Sequence, residues 1–132
     1  MKEMKTVNDI TADIVDAAIH LHKTLGPGLL ESVYELLLGI ELEQRGYKVE
    51  RQKALSIDYR GVHIDNAFRM DMVIEGRVVI ELKSTEKMHP VYAKQLKTYL
   101  VLANKDIGLL LNFGMGTMVA GIERVVNNFR GN

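Results

Sequence analysis

The chain has 132 residues, of which 47% are apolar and 26% charged, and 17 basic side chains balance 17 acidic ones. A chain of this size can bury a sizeable core, so we expect a single domain over residues 1–132. The absence of cysteine excludes disulfide frameworks, thiolate metal sites and cysteine nucleophiles and fits a cytoplasmic protein. Zero net charge argues against a generally basic nucleic-acid surface. The apolar runs are short, which argues against a membrane partner.

Two helices are predicted at the start of the chain. The first places apolar residues at three-and-four spacing from Ile10 to Leu25. Gly26-Pro27-Gly28 ends it, because proline cannot continue a helix. The second runs from about Leu29 to Arg45, and Gly46 follows in the position of a terminating residue. We expect the two helices to pack as a hairpin or a near-perpendicular pair.

After Gly46 the apolar residues alternate with polar ones, as they do in half-buried strands. This alternation predicts strands over residues 48–53, 54–59, 68–74 and 78–83, with turns at Arg60-Gly61 and at Glu75-Gly76-Arg77. The order of elements so far is a helical pair followed by a strand meander.

The last third of the chain predicts one more helix and two more strands. The helix begins at His89-Pro90, since proline is tolerated in a first turn, and ends at about Ala103. The apolar run Ile107 to Phe113 is typical of a strand covered on both faces, and Val119 to Val126 is predicted as the last strand. The whole order predicts an α/β domain with a mixed central sheet flanked by helices.

Charged residues interrupt two of these apolar strands. Glu81 and Lys83 are two residues apart and share a face, whereas Ile80 and Leu82 point into the opposite layer. Asp71 interrupts the preceding strand in the same way. These three side chains are the candidate chemical groups of the sequence.

Whether Asp71 meets Glu81 depends on the register of the hairpin that joins their strands. A two-residue Glu75-Gly76 turn would pair Asp71 with Ile80 and put the two acids on opposite faces. A three-residue loop, Glu75-Gly76-Arg77, or a bulge would set Asp71 against Glu81. An active-site interpretation requires this second register.

Two carboxylates about 4 Å apart repel each other by about 4 kcal/mol at an effective dielectric constant of about 20. The repulsion can be offset by a raised pKa, by an ion pair with Lys83, or by a divalent metal, for which oxygen ligands favour magnesium or manganese over zinc. Such a metal polarises a phosphoryl oxygen and acidifies water, while Lys83 orients that water or neutralises transition-state charge. The alternative is a buried structural ion-pair network.

Three motifs, in the right order on the right elements, resemble the PD-(D/E)xK nuclease superfamily. Asp71 and Glu81-Leu82-Lys83 are similar to its D…ExK core, with Met70 in place of the proline. The segment Gly28-Leu29-Leu30-Glu31-Ser32-Val33-Tyr34 matches the signature of the GxxExxY family of small bacterial and archaeal proteins. Gln95-Leu96-Lys97-Thr98-Tyr99 matches the QxxxY element of RecB-type nucleases.

The resemblance covers about residues 9–126 and implies a restriction-endonuclease-like core. It also implies roles for the site residues. Asp71, Glu81 and Glu31 would be metal ligands, together with the backbone carbonyl of Leu82. Lys83 would be the catalytic residue, and Gln95 and Tyr99 would be supporting residues. The supporting pair would brace the site or contact the nucleic-acid backbone.

Several of these residues also fit simpler structural roles. Glu31 lies in the first turn of its helix, where a carboxylate can cap free N–H groups and is favoured by the macrodipole. Tyr34 is a candidate supporting or substrate-binding residue for which core packing is the favoured alternative, and packing is an equal alternative for Gln95 and Tyr99, which share a helix face. Arg69 shares the face of Asp71 in a regular strand and is predicted to be its salt-bridge partner or a phosphate contact.

The leading hypothesis is a nuclease that hydrolyses nucleic acid, expected to be DNA, by metal-activated water with Mg²⁺ or Mn²⁺. One alternative is a catalytically inactive nucleic-acid-binding or assembly subunit, and another is a hydrolase of small phosphate esters. A homodimer fits the leading hypothesis, because a chain of this size has little surface for gripping a duplex and two copies would supply two nicks.

Overall fold

The computed structural model describes residues 5–128. The helices within this range are α1 (Val7–Leu25), α2 (Glu31–Gln44) and α3 (Pro90–Ala103). The strands are β1 (Val49–Tyr59), β2 (Val62–Ile74), β3 (Val78–Lys83), β4 (Ile107–Asn112) and β5 (Ile122–Val126). A short 3-10 turn, Val119–Gly121, leads into the last strand.

The strands form one mixed sheet in the order β1-β2-β3-β4-β5. β3 and β4 run parallel to each other, and every other neighbouring pair is antiparallel. Two parallel neighbours need a crossover connection, and α3 provides it. The predicted architecture, a mixed sheet flanked by helices with an N-terminal helical pair, is confirmed.

The middle of the sheet is buried on both faces. On one face α1 and α2 pack over a cluster that includes Met72, Ile80 and Leu109. On the other face α3 packs over a smaller cluster that includes Val79 and Leu110. Because β3 and β4 are covered on both sides, a charged residue on either strand needs a specific environment.

The turn between α1 and α2 is attached to the core by one tyrosine. Gly26 and Gly28 have φ angles of 72° and 108°, a region that favours glycine. The Tyr34 hydroxyl donates to the carbonyl of Gly26 (2.5 Å) and accepts from the N–H of Leu29 (3.3 Å), and its ring stacks on Phe113 at 4.4 Å. Tyr34 is fully buried, so it fixes the turn and cannot touch a substrate.

The strand boundaries differ from the sequence prediction in three places. β1 is continuous over Val49–Tyr59, and β2 begins at Val62, well before the predicted start at residue 68. Residues 62–67 are all exposed, so they carry no alternation against a core. At the end of the chain Val119–Gly121 is a 3-10 turn rather than part of the strand.

Candidate active site

Two acids from neighbouring strands meet where β2 and β3 part. The loop Glu75-Gly76-Arg77 closes with a hydrogen bond from the N–H of Arg77 to the carbonyl of Ile74 (3.0 Å). The ladder then pairs Ile74 with Val78 and ends at Met72 and Ile80. The next pair in this register is Asp71 and Glu81, so the register that an active site requires is confirmed.

Each of these carboxylates accepts a hydrogen bond from the backbone of the other strand. The N–H of Asp71 donates to Glu81 Oε1 (3.1 Å), and the N–H of Leu82 donates to Asp71 Oδ2 (2.9 Å). The side chains therefore take the acceptor positions that backbone carbonyls hold elsewhere in the ladder. The direction of both acids is fixed by the sheet itself.

β2 changes the face it presents at Asp71. Met70 packs in the cluster under α3, whereas Met72 packs in the cluster under α1 and α2, although residues two apart share a face in a regular strand. Gln52, which lies between their partners on β1, has a φ angle of 51°. The strand pair is therefore irregular at the site.

This irregularity corrects the prediction for Arg69. Phe68 stacks on Tyr99 of α3 at 4.8 Å, so it faces the α3 side of the sheet. Its neighbour Arg69 is exposed and points the other way, because successive residues of a strand alternate. None of the ion pairs within residues 5–128 joins Arg69 to Asp71, so the predicted salt bridge is wrong, and the phosphate contact stays a prediction.

The acid pair is only partly compensated by the protein. Glu81 is 8% exposed. Its burial, followed by the charge of Asp71, raises the pKa of Glu81 to about 8. None of the ion pairs within residues 5–128 involves Lys83, whose ammonium lies 4.9 Å from the centre of the Tyr92 ring. The raised pKa, rather than an ion pair, is thus the compensation present in the protein alone.

α3 brings one of the two predicted supporting residues to the acids. Burial, and then the charges of Glu81 and Asp71, raise the pKa of Tyr99. Gln95, one turn earlier on the same helix, is exposed to solvent. Tyr99 therefore lies in the electrostatic field of the acid pair, while the side chain of Gln95 is free to meet a ligand from outside.

Glu31 lies apart from the acid pair. It is exposed in the first turn of α2, and the helix has no side-chain cap hydrogen bond. The Ser84 hydroxyl donates to the carbonyl of Leu29 (2.6 Å), which joins the start of α2 to the end of β3. Over residues 5–128, no three Asp, Glu, His or Cys side chains are grouped closely enough to hold a metal. The structure brings together Asp71, Glu81 and Leu82 without Glu31.

The amino-acid sequence matches a known family. A family model of the PD-(D/E)XK nuclease superfamily covers residues 8–125. The chain belongs to the PD-(D/E)XK nuclease superfamily. No curated protein and no solved structure matches the chain. The family match includes Asp71 and Glu81-Leu82-Lys83, and it identifies the mixed sheet as a PD-(D/E)XK nuclease-like fold. In the described part of the chain, no helix has the length and apolar character needed to cross a membrane.

The acid pair of this PD-(D/E)XK domain has the chemistry of a divalent-metal site. Within residues 5–128 no side-chain nitrogen or oxygen is both sealed from solvent and without a partner. None of the carboxylate oxygens of Asp71 and Glu81 is therefore both buried and without a partner, and a hydrogen bond between the two side chains is among the causes that raise the pKa of Glu81. Carboxylate and carbonyl oxygens are ligands that Mg²⁺ and Mn²⁺ prefer. These donors, with their incompletely compensated charge, fit such an ion.

One buried polar residue beside the site, Asn112, does not stand out in the sequence. Asn112 is fully buried; its Oδ1 accepts from the N–H groups of Thr85 and Gly114, each at 3.0 Å. Its Nδ2 donates to Thr85 Oγ1 (3.0 Å) and to the carbonyl of Lys87 (3.3 Å). The signal for it was a single amide at the end of an apolar strand. Asn112 fixes the loop that follows Lys83.

The raised pKa of Glu81 predicts a pH-dependent stability of the metal-free protein. The native state binds this proton more tightly than the unfolded chain, whose pKa is near the ordinary 4.5. Its stabilising contribution is therefore complete below about pH 4.5 and is lost as the pH rises through about 8. Glu81→Gln removes this loss, so its free energy of unfolding should exceed that of wild type by about 1–3 kcal/mol above this pKa.

Urea unfolding in EDTA at several pH values measures this difference. The difference in free energy of unfolding between Glu81→Gln and wild type should shrink towards zero as the pH falls to the ordinary glutamate pKa of 4.5. Glu43→Gln, on the exposed side of α2, is the matched control, and its difference from wild type should stay small throughout. A Glu81→Gln difference that does not change with pH would contradict the prediction.

Proposed function

We propose that the protein is a cytoplasmic nuclease that hydrolyses phosphodiester bonds in DNA with Mg²⁺ or Mn²⁺. The observation that carries the proposal is the convergence of Asp71 and Glu81 across two parted strands, with Lys83 two residues further along the face of Glu81. Burial of an acid pair without a cation is costly for a fold alone. A metal-dependent site explains why the two acids are buried together, whereas a structural ion-pair network does not.

In this proposal, Asp71, Glu81 and the carbonyl of Leu82 hold the metal. When bound, a divalent ion supplies polarisation of a phosphoryl oxygen and a more acidic water. The Lys83 ammonium orients the attacking water or neutralises charge on the pentacovalent transition state. Glu31, which stands apart at the start of α2, would act through an intervening water rather than as a direct ligand.

The supporting roles of α3 are also part of the proposal. Gln95 is exposed one turn from Tyr99 and would donate its amide to a phosphate of the bound strand. Tyr99, stacked on Phe68 beside the acids, braces β2 against the helix. In the QxxxY element, Gln95 would thus contact the nucleic acid and Tyr99 would support β2.

We infer that within the superfamily the chain falls in the GxxExxY group. The positive φ of Gly28 explains the glycine of that signature, and Tyr34 holds the same turn through the Gly26 carbonyl. The signature therefore describes one structural unit that sets where Glu31 begins α2. This reasoning supports the assignment from the residues of the motif themselves.

A cleavage assay tests the proposed function. Supercoiled plasmid, linear duplex, single-stranded DNA and RNA are incubated with purified protein in Mg²⁺, Mn²⁺ or EDTA. We expect metal-dependent cleavage of DNA that Asp71→Asn abolishes and that Asp106→Asn, an exposed loop position, leaves unchanged. Cleavage that persists in Asp71→Asn would remove this site from the mechanism. Calorimetry with Mn²⁺ distinguishes the inactive binding or assembly subunit, for which no metal binding is expected.

A homodimer is part of the proposal. α2 carries a row of large apolar side chains on its exposed side, with Val33, Leu36 and Ile40 exposed by 37%, 47% and 43%. An exposed row of this kind is typical of a helix face that a partner covers. Light scattering on wild type and Leu36→Glu measures whether this face joins two copies; a monomeric wild type would contradict the dimer.

A further inference from the structure

We propose that Tyr92 is the positioning residue of Lys83 and that buried Asn112 fixes Tyr92 through Thr85. The inference rests on the proposed function, because it takes Lys83 as the catalytic residue. It assigns a purpose to three residues outside the D…ExK, GxxExxY and QxxxY motifs. Each link is a contact in the structure.

The first link is between the lysine and the ring. Lys83 is the last residue of β3, and its ammonium lies 4.9 Å from the centre of the Tyr92 ring in the first turn of α3. A cation over an aromatic face is attracted by the ring quadrupole. Without that contact, the long lysine side chain has many rotamers and no fixed direction.

The ring also keeps the lysine from binding the acids directly. Two carboxylates lie on the same side of the sheet, and Glu81 shares the strand face of Lys83. An ammonium bonded to them would occupy the oxygens that the proposed metal needs. Contact with Tyr92 holds the positive charge beside the acid pair and leaves those oxygens without an ammonium partner.

The second link fixes the ring. The Tyr92 hydroxyl donates to Thr85 Oγ1 at 3.4 Å, and the His89 ring packs edge-on against Tyr92 with centroids 5.4 Å apart. Asn112 holds Thr85 at two points, Nδ2 to Oγ1 and Oδ1 to the backbone N–H, each at 3.0 Å. Thr85 is therefore fixed independently of the helix that carries Tyr92.

The third link returns to the lysine. Asn112 is the direct partner of Lys83 in the parallel register of β3 and β4, and the N–H of Phe113 donates to the carbonyl of Lys83 at 2.8 Å. The contacts thus form a closed circuit from the lysine backbone through Asn112 and Thr85 to the ring over its own ammonium. A circuit of this kind limits where the ammonium can go.

A spectroscopic experiment tests the contact without any need for activity. Lysines of the full chain are reductively methylated with ¹³C-formaldehyde, which retains their charge, and the Lys83 signal is assigned by its loss in Lys83→Arg. We expect an upfield ring-current shift that Tyr92→Leu abolishes and that Tyr92→Phe, which keeps the ring but loses its hydrogen bond to Thr85, only reduces. Thr85→Val, which removes only the hydroxyl, should reduce the shift. A Lys83 signal at the position of the other lysines in wild type would overturn the proposal.

Kinetics then test whether the contact positions the lysine for catalysis. Tyr92→Leu should lower kcat by roughly tenfold with unchanged Mn²⁺ affinity, and Tyr92→Phe, which keeps the ring without its hydroxyl, should have an intermediate rate. In a Lys83→Ala background, Tyr92→Leu should cost nothing further. Equal rates for the Phe and Leu variants would contradict positioning. A normal ring-current shift in a protein that never cleaves would instead contradict the proposed nuclease function and leave the contact standing.

Discussion

Replacing Lys83 by alanine is expected to lower metal-dependent cleavage at least about a hundredfold while Mn²⁺ binding is retained. The reason is that Lys83 forms no ion pair with the acids, so its loss leaves the proposed ligands in place. Its charge is needed only when negative charge develops on the phosphate. Initial cleavage rates at saturating metal, together with Mn²⁺ calorimetry, measure the two properties separately.

Lys87→Ala is the matched control, because Lys87 is exposed in the loop that follows β3 and its backbone carbonyl makes the structural contacts. Its cleavage rate should stay within about twofold of wild type, as expected for an exposed side chain away from the reacting groups. If Lys83→Ala also lost Mn²⁺ binding, the lysine would be part of the metal site rather than a separate catalytic group. If it cleaved at the wild-type rate, Lys83 would have no catalytic role.

Replacing Gly114 by alanine is expected to destabilise the fold by about 3 kcal/mol. An added Cβ would lie 2.4 Å from both the backbone N and the backbone O of Thr85. Backbone atoms cannot rotate away as the end of a side chain can, and Asn112 holds both segments through its Oδ1. Urea unfolding followed by circular dichroism measures the change.

Gly116→Ala provides the comparison. Gly116 is exposed in the same turn and has no atom within 4 Å of the position that a Cβ would take. Its free energy of unfolding should change by less than about 0.5 kcal/mol. Equal stability of the two variants would show that the loop after β3 can move away from Gly114, and that Thr85 is not rigidly placed.

The helices could be predicted from the sequence because their signals are local. Apolar spacing from Ile10 to Leu25, the Gly26-Pro27-Gly28 stop and Pro90 at the start of α3 all act within a few residues. The first residues of β2 could not be predicted in this way. Residues 62–67 are exposed and are a strand only because β1 pairs with them. Such pairing leaves no alternation of apolar and polar residues in the sequence when neither face of the strand is buried.

The acid pair was predictable to the level of two alternative registers. The three-residue loop at Glu75-Gly76-Arg77 chooses between them, and Glu75 and Gly76 both adopt positive φ angles there. The change of face at Asp71 was not predictable, because the irregular residue opposite it, Gln52, is on another strand. The same holds for Asn112 and Thr85, whose bonds join segments 27 residues apart.

The backbone bonds to Asp71 and Glu81 affect how homologues should be interpreted. Because both side chains also accept backbone hydrogen bonds between β2 and β3, selection for folding alone would retain an acceptor oxygen at each position, as a carboxylate or as an amide, after catalysis had been lost. Their presence in a relative is therefore weak evidence that the relative still cleaves its substrate. The side chain of Lys83 makes none of these hydrogen bonds between β2 and β3, so a homologue that has lost catalysis is free to replace it. This position therefore distinguishes active homologues from inactive ones.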